Sequence, residues 1–255
     1  MASNNRVRGK EAIRVSWLIV LLGCLWLPSR LVGGEVIRDD FSDGSLVDGT
    51  PIGWRGVVPR QISIDETGLR VSAQGGAILQ TSTMNSTGWS MRAQVRRTSG
   101  DATGLGSQST TEFTSGRPSD TWVALFPGGT LQIGTNGTVL GRIDGFDPEV
   151  QDVILQLDTF GDELQAWAWL PGSAPNSTVP LLTATRPTLA DASAGIWLAD
   201  NSGADGGFAE STFRWFEYSD EHLSIPVPEP HGLLLLLMAM PSLRWARHAV
   251  TNRST

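Results

Sequence analysis

The sequence predicts an all-β module of short antiparallel strands, and three observations carry that prediction. Between Glu35 and Ser224 the apolar runs are short and bounded by Gly, Pro, Asn, Asp and Ser, the punctuation of strands and turns. No stretch there sustains a 3.6-residue apolar period, which argues against long amphipathic helices. Several runs alternate with period two instead, as a strand does when one face is buried and the other is wet. At about 190 residues the segment has the length of one β-sandwich domain, and neither an internal repeat nor a second domain is visible.

The elements follow in chain order. Arg6, Arg8, Lys10 and Arg14 precede the apolar run Trp17 to Leu22, the order of a secretory signal. Residues 1–34 are therefore expected to be a signal peptide, cut after Gly34. Leu21-Leu22-Gly23-Cys24 also loosely fits a lipoprotein box, which would make Cys24 a lipidated first residue instead. The chain has one cysteine, so no disulfide is expected in the mature fold. Ile62 and Ile64 are joined to Leu69 and Val71 by Asp65-Glu66-Thr67-Gly68, whose glycine can supply the positive φ of a tight turn. Trp89, Met91, Ala93 and Val95 alternate with Ser90, Arg92, Gln94 and Arg96, so Arg92 and Arg96 should face water. Trp122 to Phe126 and Thr130 to Ile133 flank Gly128-Gly129, and Ala194 to Ala199 and Ser211 to Tyr218 read as late strands around a Gly-rich loop.

The most informative hairpin runs from Asp152 to Asp158, turns through Thr159-Phe160-Gly161-Asp162, and returns from Glu163 to Leu170. With Asp158 opposite Glu163, alternation puts Val153, Leu155 and Leu157 with Leu164, Ala166, Ala168 and Leu170 on one face. The other face gathers Gln156, Asp158, Glu163, Gln165, Trp167 and Trp169. Tryptophan rings beside amides and carboxylates suit a pyranose, which stacks its C–H face on the rings and offers hydroxyls to the polar groups. These six residues are the glycan-binding candidates, with Trp167 and Trp169 expected in solvent. The competing reading places the tryptophans under a loop or in the core.

Charge narrows the partners. From Glu35 to Ile225 the chain has 11 Arg, no Lys and 24 Asp plus Glu, a net charge of −13. A nucleic-acid site needs a basic footprint, and an anionic membrane would repel this module. Neutral glycans and cations remain. His222, His231 and His248 lie at or beyond the module's C-terminal edge, which predicts no histidine base inside the sandwich and makes zinc a poor fit. Calcium suits clustered oxygens better: Asp39, Asp40 and Asp43 form one candidate group, Asp200 and Asp205 another, although most such loops are turns. No cofactor is otherwise expected. Asn85, Asn136 and Asn176 head glycosylation sequons and are read here as turn residues.

The C-terminus carries Ile225-Pro226-Val227-Pro228-Glu229-Pro230, the apolar run Leu233 to Met240, then Arg244, Arg247 and Arg253. The apolar run falls short of the ~20 residues of a membrane-spanning helix. Pro228, Glu229 and Pro230 with the following apolar and basic segments resemble the PEP-CTERM sorting signal of exported bacterial proteins. That resemblance implies that residues 225–255 are a sorting signal read by exosortase, a membrane transpeptidase; the alternative is a marginal tail-anchor helix. It further implies transient membrane association through both termini and an address at the cell surface, outer envelope or extracellular matrix.

Asp39-Asp40-Phe41-Ser42-Asp43-Gly44, the strand Leu164 to Trp169, and Ala194-Gly195-Ile196-Trp197 before Phe213-Arg214-Trp215-Phe216 together resemble concanavalin A-like jelly rolls, laminin-G-like domains among them. The resemblance spans most of residues 35–224 and implies a two-sheet antiparallel sandwich. That family includes lectins and glycosidases, and fold does not choose between them. Its glycosidases place Glu-x-Asp-x-x-Glu on one strand, so that acid and nucleophile share a face. No glutamate here is followed two residues later by an acid, while Asp147-Pro148-Glu149 sits in a turn. The expectation is therefore a non-catalytic, exported module with a polysaccharide or matrix glycan as partner. A carboxylate-dependent glycosidase or lyase, and a structural surface protein without a small ligand, are the alternatives.

Overall fold

A computed structural model describes residues 35–46, 51–56, 61–74, 76–83, 88–108, 120–135, 137–145, 152–173, 175, 179–186, 193–199 and 208–226, all within the compact unit Gly34–Thr255. The signal segment, the sorting residues Pro228, Glu229 and Pro230, the Asp147/Glu149 pair, Asp200, Asp205 and the three sequon asparagines lie outside the described residues.

The described elements are all strands: β1 (Ile37–Asp39), β2 (Arg55–Gly56), β3 (Gln61–Asp65), β4 (Gly68–Gln74), β5 (Gly76–Thr83), β6 (Gly88–Ser99), β7 (Ala102–Gln108), β8 (Thr121–Phe126), β9 (Thr130–Thr135), β10 (Thr138–Ile143), β11 (Val153–Phe160), β12 (Glu163–Trp169), β13 (Leu182–Thr185), β14 (Ser193–Ala199) and β15 (Phe208–Ser219). They form two sheets. The first, sheet A, runs β13-β12-β11-β6-β15-β4-β3, with β1 added alongside β15; the second, sheet B, runs β10-β9-β8-β7-β14-β5-β2. The pairing is antiparallel at the long neighbours that build each sheet, such as β6 with β11 and β7 with β14.

Apolar alternation decides which way each strand faces. In β6, Met91, Ala93 and Val95 are fully buried, and they meet Leu157, Leu155 and Val153 across the β11 register. Leu105, Val123, Ile133 and Ile196 approach from sheet B, so the two inner faces share one core. Each such Leu, Val or Ile removed from water contributes ~1.5–3 kcal/mol, which makes this layer the main source of stability. Arg96 is exposed as its alternation predicts, whereas Arg92 is only 16% exposed because its guanidinium is drawn onto Glu217 at 2.6 Å.

Turn chemistry fixes the registers. Asp65 pairs with Gly68 around a two-residue turn, and Gly68 adopts φ +115°. A Cβ there would lie 2.3 Å from the carbonyl oxygen of Phe213, so glycine serves both conformation and close approach. The β11–β12 turn is tighter than the sequence suggested. Phe160 pairs with Glu163, and Asp158 pairs with Gln165 rather than with Glu163. Strand β11 extends through Thr159 and Phe160 because Thr159 is buried and Gly161 takes φ +60°, as a two-residue hairpin turn requires. A slip of two residues preserves parity, so the face assignments survive it.

The Asp39–Gly44 stretch holds the edge of the core. Asp39, 2% exposed, accepts the indole N–H of Trp54 at 2.7 Å and the amide N–H of Phe41 at 2.8 Å. Asp40 and Asp43 likewise accept the amides of Ser42 and Ser45. These carboxylates each turn one oxygen toward their own backbone. Burial pushes the Asp39 carboxyl up, against the Trp54 and Phe41 hydrogen bonds that lower it. Trp54 then packs edge-on against Phe216, with centroids 5.0 Å apart. Asp39→Ala would leave the Trp54 donor buried without its acceptor, and a loss of about 1–3 kcal/mol is expected in denaturant unfolding. Asp43→Ala, at an exposed turn, should stay within about 0.5 kcal/mol.

Candidate functional site

The outer face of sheet A brings the sequence-predicted residues together, with Gln156, Asp158, Trp167 and Trp169 buried and Glu163 and Gln165 at the rim. After β15 the chain turns back as a strap, residues 219–226, that crosses β6 toward β11. The amide N–H of Leu223 donates to Ser90 Oγ at 3.1 Å, and its carbonyl accepts Gln156 Nε2 at 3.0 Å. Arg92 Nη1 donates to the Ser224 carbonyl at 3.2 Å. Strand alternation placed Ser90, Arg92 and Gln156 on this outward face, and the strap uses all three.

Beneath the strap lies Asp158, 2% exposed. Its Oδ1 accepts Ser90 Oγ at 2.7 Å and Gln156 Nε2 at 3.0 Å, while Oδ2 lies 3.1 Å from His222 Nδ1. Burial pushes this carboxyl up, although the Ser90, His222 and Gln156 contacts work in the opposite direction. The network continues outward: Gln156 meets Arg92 at 3.5 Å, Arg92 donates to Glu217, and Glu217 accepts Arg38 at 2.6 Å. A charge in low dielectric has to be met by partners in this way or it is unstable.

His222 corrects the expectation that no histidine reaches the sandwich. The strap carries it back over the sheet, where its ring lies against Phe160 with centroids 3.6 Å apart. It remains 60% exposed while its partner Asp158 is enclosed. Asp158, Phe160, Glu163, Gln165 and His222 line a cleft of about 80 Å³. A small open cleft of this kind can admit a hydroxyl or hydroxymethyl edge. At its rim, exposed Glu163 accepts Gln165 Nε2 at 2.7 Å.

The tryptophans behave otherwise than expected. Trp167 pairs opposite Gln156 and Trp169 opposite Ile154, on the outward side as alternation predicts. Yet they are only 4% and 5% exposed. They are packed residues, not an open stacking platform, and the expectation of solvent-facing rings is overturned. Period-two alternation identifies a face; it does not reveal what later chain lies across that face.

A second aromatic cluster escaped the sequence reading. Trp122 pairs between Gly106 and Gly134, and Trp197 opposite Gly104, on the side of sheet B away from Val123 and Leu105. The glycines leave room for flat rings: a Cβ on Gly134 would come within 2.3 Å of the Trp122 ring. The rings meet edge to face at 6.1 Å, and Trp197 Nε1 donates to the Leu105 carbonyl at 3.2 Å. The signal was present in the placement of glycines opposite tryptophans, but only the register brings them together. Both rings are fully buried, so they do not form an open binding floor.

No family model matches this chain, and no curated protein matches it. Solved structures do. The exoplasmic/lumenal domain of VIP36 in its Ca2+-bound form superposes with TM-score 0.53 at 11% identity, covering 74% of this chain and 91% of that one. Its Ca2+/Man3GlcNAc-bound form gives TM-score 0.51 at 11% identity, covering 70% and 89%. The GH43 protein BlXynB from Bacillus licheniformis gives TM-score 0.50 at 15% identity, covering 72% of this chain and 39% of that one. The chain has the concanavalin A-like jelly-roll fold. At these identities the likeness concerns architecture. No group of three or more His, Cys, Asp or Glu among the described residues is arranged to hold a metal ion.

Two outcomes follow from this geometry. Trp167→Ala should lower stability by about 3–5 kcal/mol in thermal or denaturant unfolding, as truncation of a packed ring does; an exposed ring would cost little. Because the folded pKa of Asp158 is raised, its contribution to stability is complete below the ordinary carboxylate range and declines as pH rises through the folded value. The stability of the wild type minus that of Asp158→Asn should therefore fall as pH rises from about 4; a flat difference would show that burial is not what shifts this group.

Proposed function

We propose that the chain is an exported, non-catalytic glycan-binding jelly-roll module, delivered through an N-terminal signal and sorted by exosortase at Pro228-Glu229-Pro230. The observation that carries the binding reading is the cleft between Asp158, Phe160, Glu163, Gln165 and His222. It combines carboxylate acceptors, an amide and a ring pair on one rim, the chemistry that meets sugar hydroxyls and an adjoining C–H edge. The module's charge of −13 supports an uncharged partner at this cleft, whose own rim carries Glu163. The fold shared with a VIP36 domain described in a Man3GlcNAc-bound form supports the same reading. The termini support export through the order of basic, apolar and cleavable segments at the start and of Pro-rich, apolar and basic segments at the end. A polysaccharide or matrix glycan at the cell surface is the proposed partner.

A hydrolytic or lyase function is the second reading, favoured by one specific contact. Asp158 holds His222 through Nδ1, which turns the other ring nitrogen away from the carboxylate as a general base requires. The two readings separate in one experiment. The purified full-length chain is titrated with a panel of neutral oligosaccharides while released sugar is assayed. Binding without release, weakened in Gln165→Ala by the ~0.5–1.5 kcal/mol of one hydrogen bond with an unchanged unfolding midpoint, is expected. Product formation abolished by His222→Ala would establish the second reading instead.

A further inference from the structure

The outer face of sheet A carries another groove, toward the opposite end of β6 from the cleft. Strand register sets Arg70, Thr212 and Arg96 side by side across β4, β15 and β6. Adjacent strands are ~4.8 Å apart, so two long guanidinium side chains stand roughly 10 Å apart with a short threonine between them. The open groove offers about 390 Å³, and Asp65, Thr67, Arg97, Thr98 and Glu210 complete its lining.

The arginines are available to a ligand. Arg70 and Arg96 have side chains 52% and 44% exposed. Arg70 bonds Glu210 through one terminal nitrogen at 2.7 Å, and Arg96 bonds Asp152 through Nε at 2.6 Å. A guanidinium has five N–H donors, so both retain free donors on a planar fork. The Arg70–Glu210 pair at the surface contributes ~0–1 kcal/mol, while Arg96 can keep Asp152 through Nε when its terminal nitrogens meet an anion. Asp65 is turned into its own loop, accepting the amide and hydroxyl of Thr67.

We propose that this groove binds the sugar carboxylate of a uronate-containing polysaccharide. Arg70 and Arg96 clamp the carboxylate from either side; the hydroxyls of Thr212 and Thr98, and the carboxylate of Glu210, meet the sugar hydroxyls. The mixture of charges selects the ligand class. A nucleic acid places a phosphate every ~1.7 Å of duplex and would meet Glu210 and Asp65 repeatedly, and the acidic module around the groove favours a ligand whose charges are widely spaced. A uronate chain brings one carboxylate per sugar together with hydroxyl donors, which a groove of three arginines and two acids can satisfy. This site goes beyond the cleft reading and does not depend on it.

The test is calorimetric titration of the purified full-length chain with oligogalacturonate, with a neutral malto-oligosaccharide and single-stranded DNA as separate arms. Oligogalacturonate is expected to bind, more weakly as salt rises, and the double variant Arg70→Ser, Arg96→Ser should lose at least about tenfold in affinity as charge-assisted hydrogen bonds are removed. Its unfolding midpoint should fall only modestly, because Gln94 and Arg214 still meet Asp152. Gln165→Ala, at the cleft, should leave oligogalacturonate binding unchanged even where it weakens neutral-sugar binding, so the two sites fail separately. Equal affinity in the double variant, DNA binding as tight as uronate binding, or no uronate binding by the parent chain would each overturn the proposal.

Discussion

Strand β15 and its bulge govern the arrangement of sheet A. Twelve residues long, β15 pairs with β6 along one side, and with β4 and then β1 along the other. Strict alternation would send Phe213 and Phe216 to opposite faces, since three residues separate them. The register shifts between Phe213 and Trp215, inserting one extra residue as a β-bulge does. Both phenylalanines then enter the core with no exposure, while Trp215 and Glu217 face outward. Glu217 thereby reaches both Arg38 and Arg92, and Arg38 lies over the Trp215 ring at 4.5 Å. Core packing and outer-face electrostatics are thus set by one backbone irregularity.

The outer face of sheet A combines apolar burial at Trp167 and Trp169 with two networks built around carboxylates. Asp158 is enclosed beneath the strap with three side-chain partners, and Asp152 collects Gln94, Arg96 and Arg214. The two carboxylates respond to opposite balances. Burial prevails at Asp158 and raises its pKa. At Asp152 burial also opposes ionisation, but hydrogen bonds from Gln94 and two arginines outweigh it and hold the carboxyl low. Asp152 therefore adds stability above the ordinary carboxylate range that is lost as pH falls through its folded value, the reverse of Asp158. Networks of this kind fix a unique arrangement because each missing partner leaves a costly buried charge.

The candidate site has the same dependence on the strap. Cleft residues Phe160, Glu163 and Gln165 belong to one hairpin, so local sequence could bring them together. His222 comes from a segment 64 residues away from Asp158, and nothing in its immediate sequence announces that partner. The same segment reaches Gln156 and Ser90 through Leu223, whose side chain is 3% exposed. The cleft and the arginine-bordered groove can share one sheet face because β6 is long enough to carry Ser90 near one end and Arg96 toward the other.

The sequence alone determined the strongly alternating strands and their faces, because period-two alternation and glycine placement are local properties of the backbone, whereas strands such as β7 and β10 and the length of the β11–β12 turn were not legible in it. It led from Trp89–Arg96 to a half-wet strand, from Gly68 to a positive-φ turn, and from the β11–β12 hairpin to two distinct faces. It also joined Gln156, Asp158, Glu163 and Gln165 on one side. Only tertiary structure decided what those faces meet. The β15 bulge depends on cross-strand register, the strap depends on where β15 ends, and the burial of Trp167 and Trp169 belongs to the packed molecule and not to the strand pattern. Asp39 illustrates the difference: three neighbouring aspartates read locally as a cation site, but an indole donor fifteen residues away and the packing of that indole on Phe216 give the first of them a structural role. Alternation fixes direction, whereas burial, partner and charge state are set by segments distant in the chain.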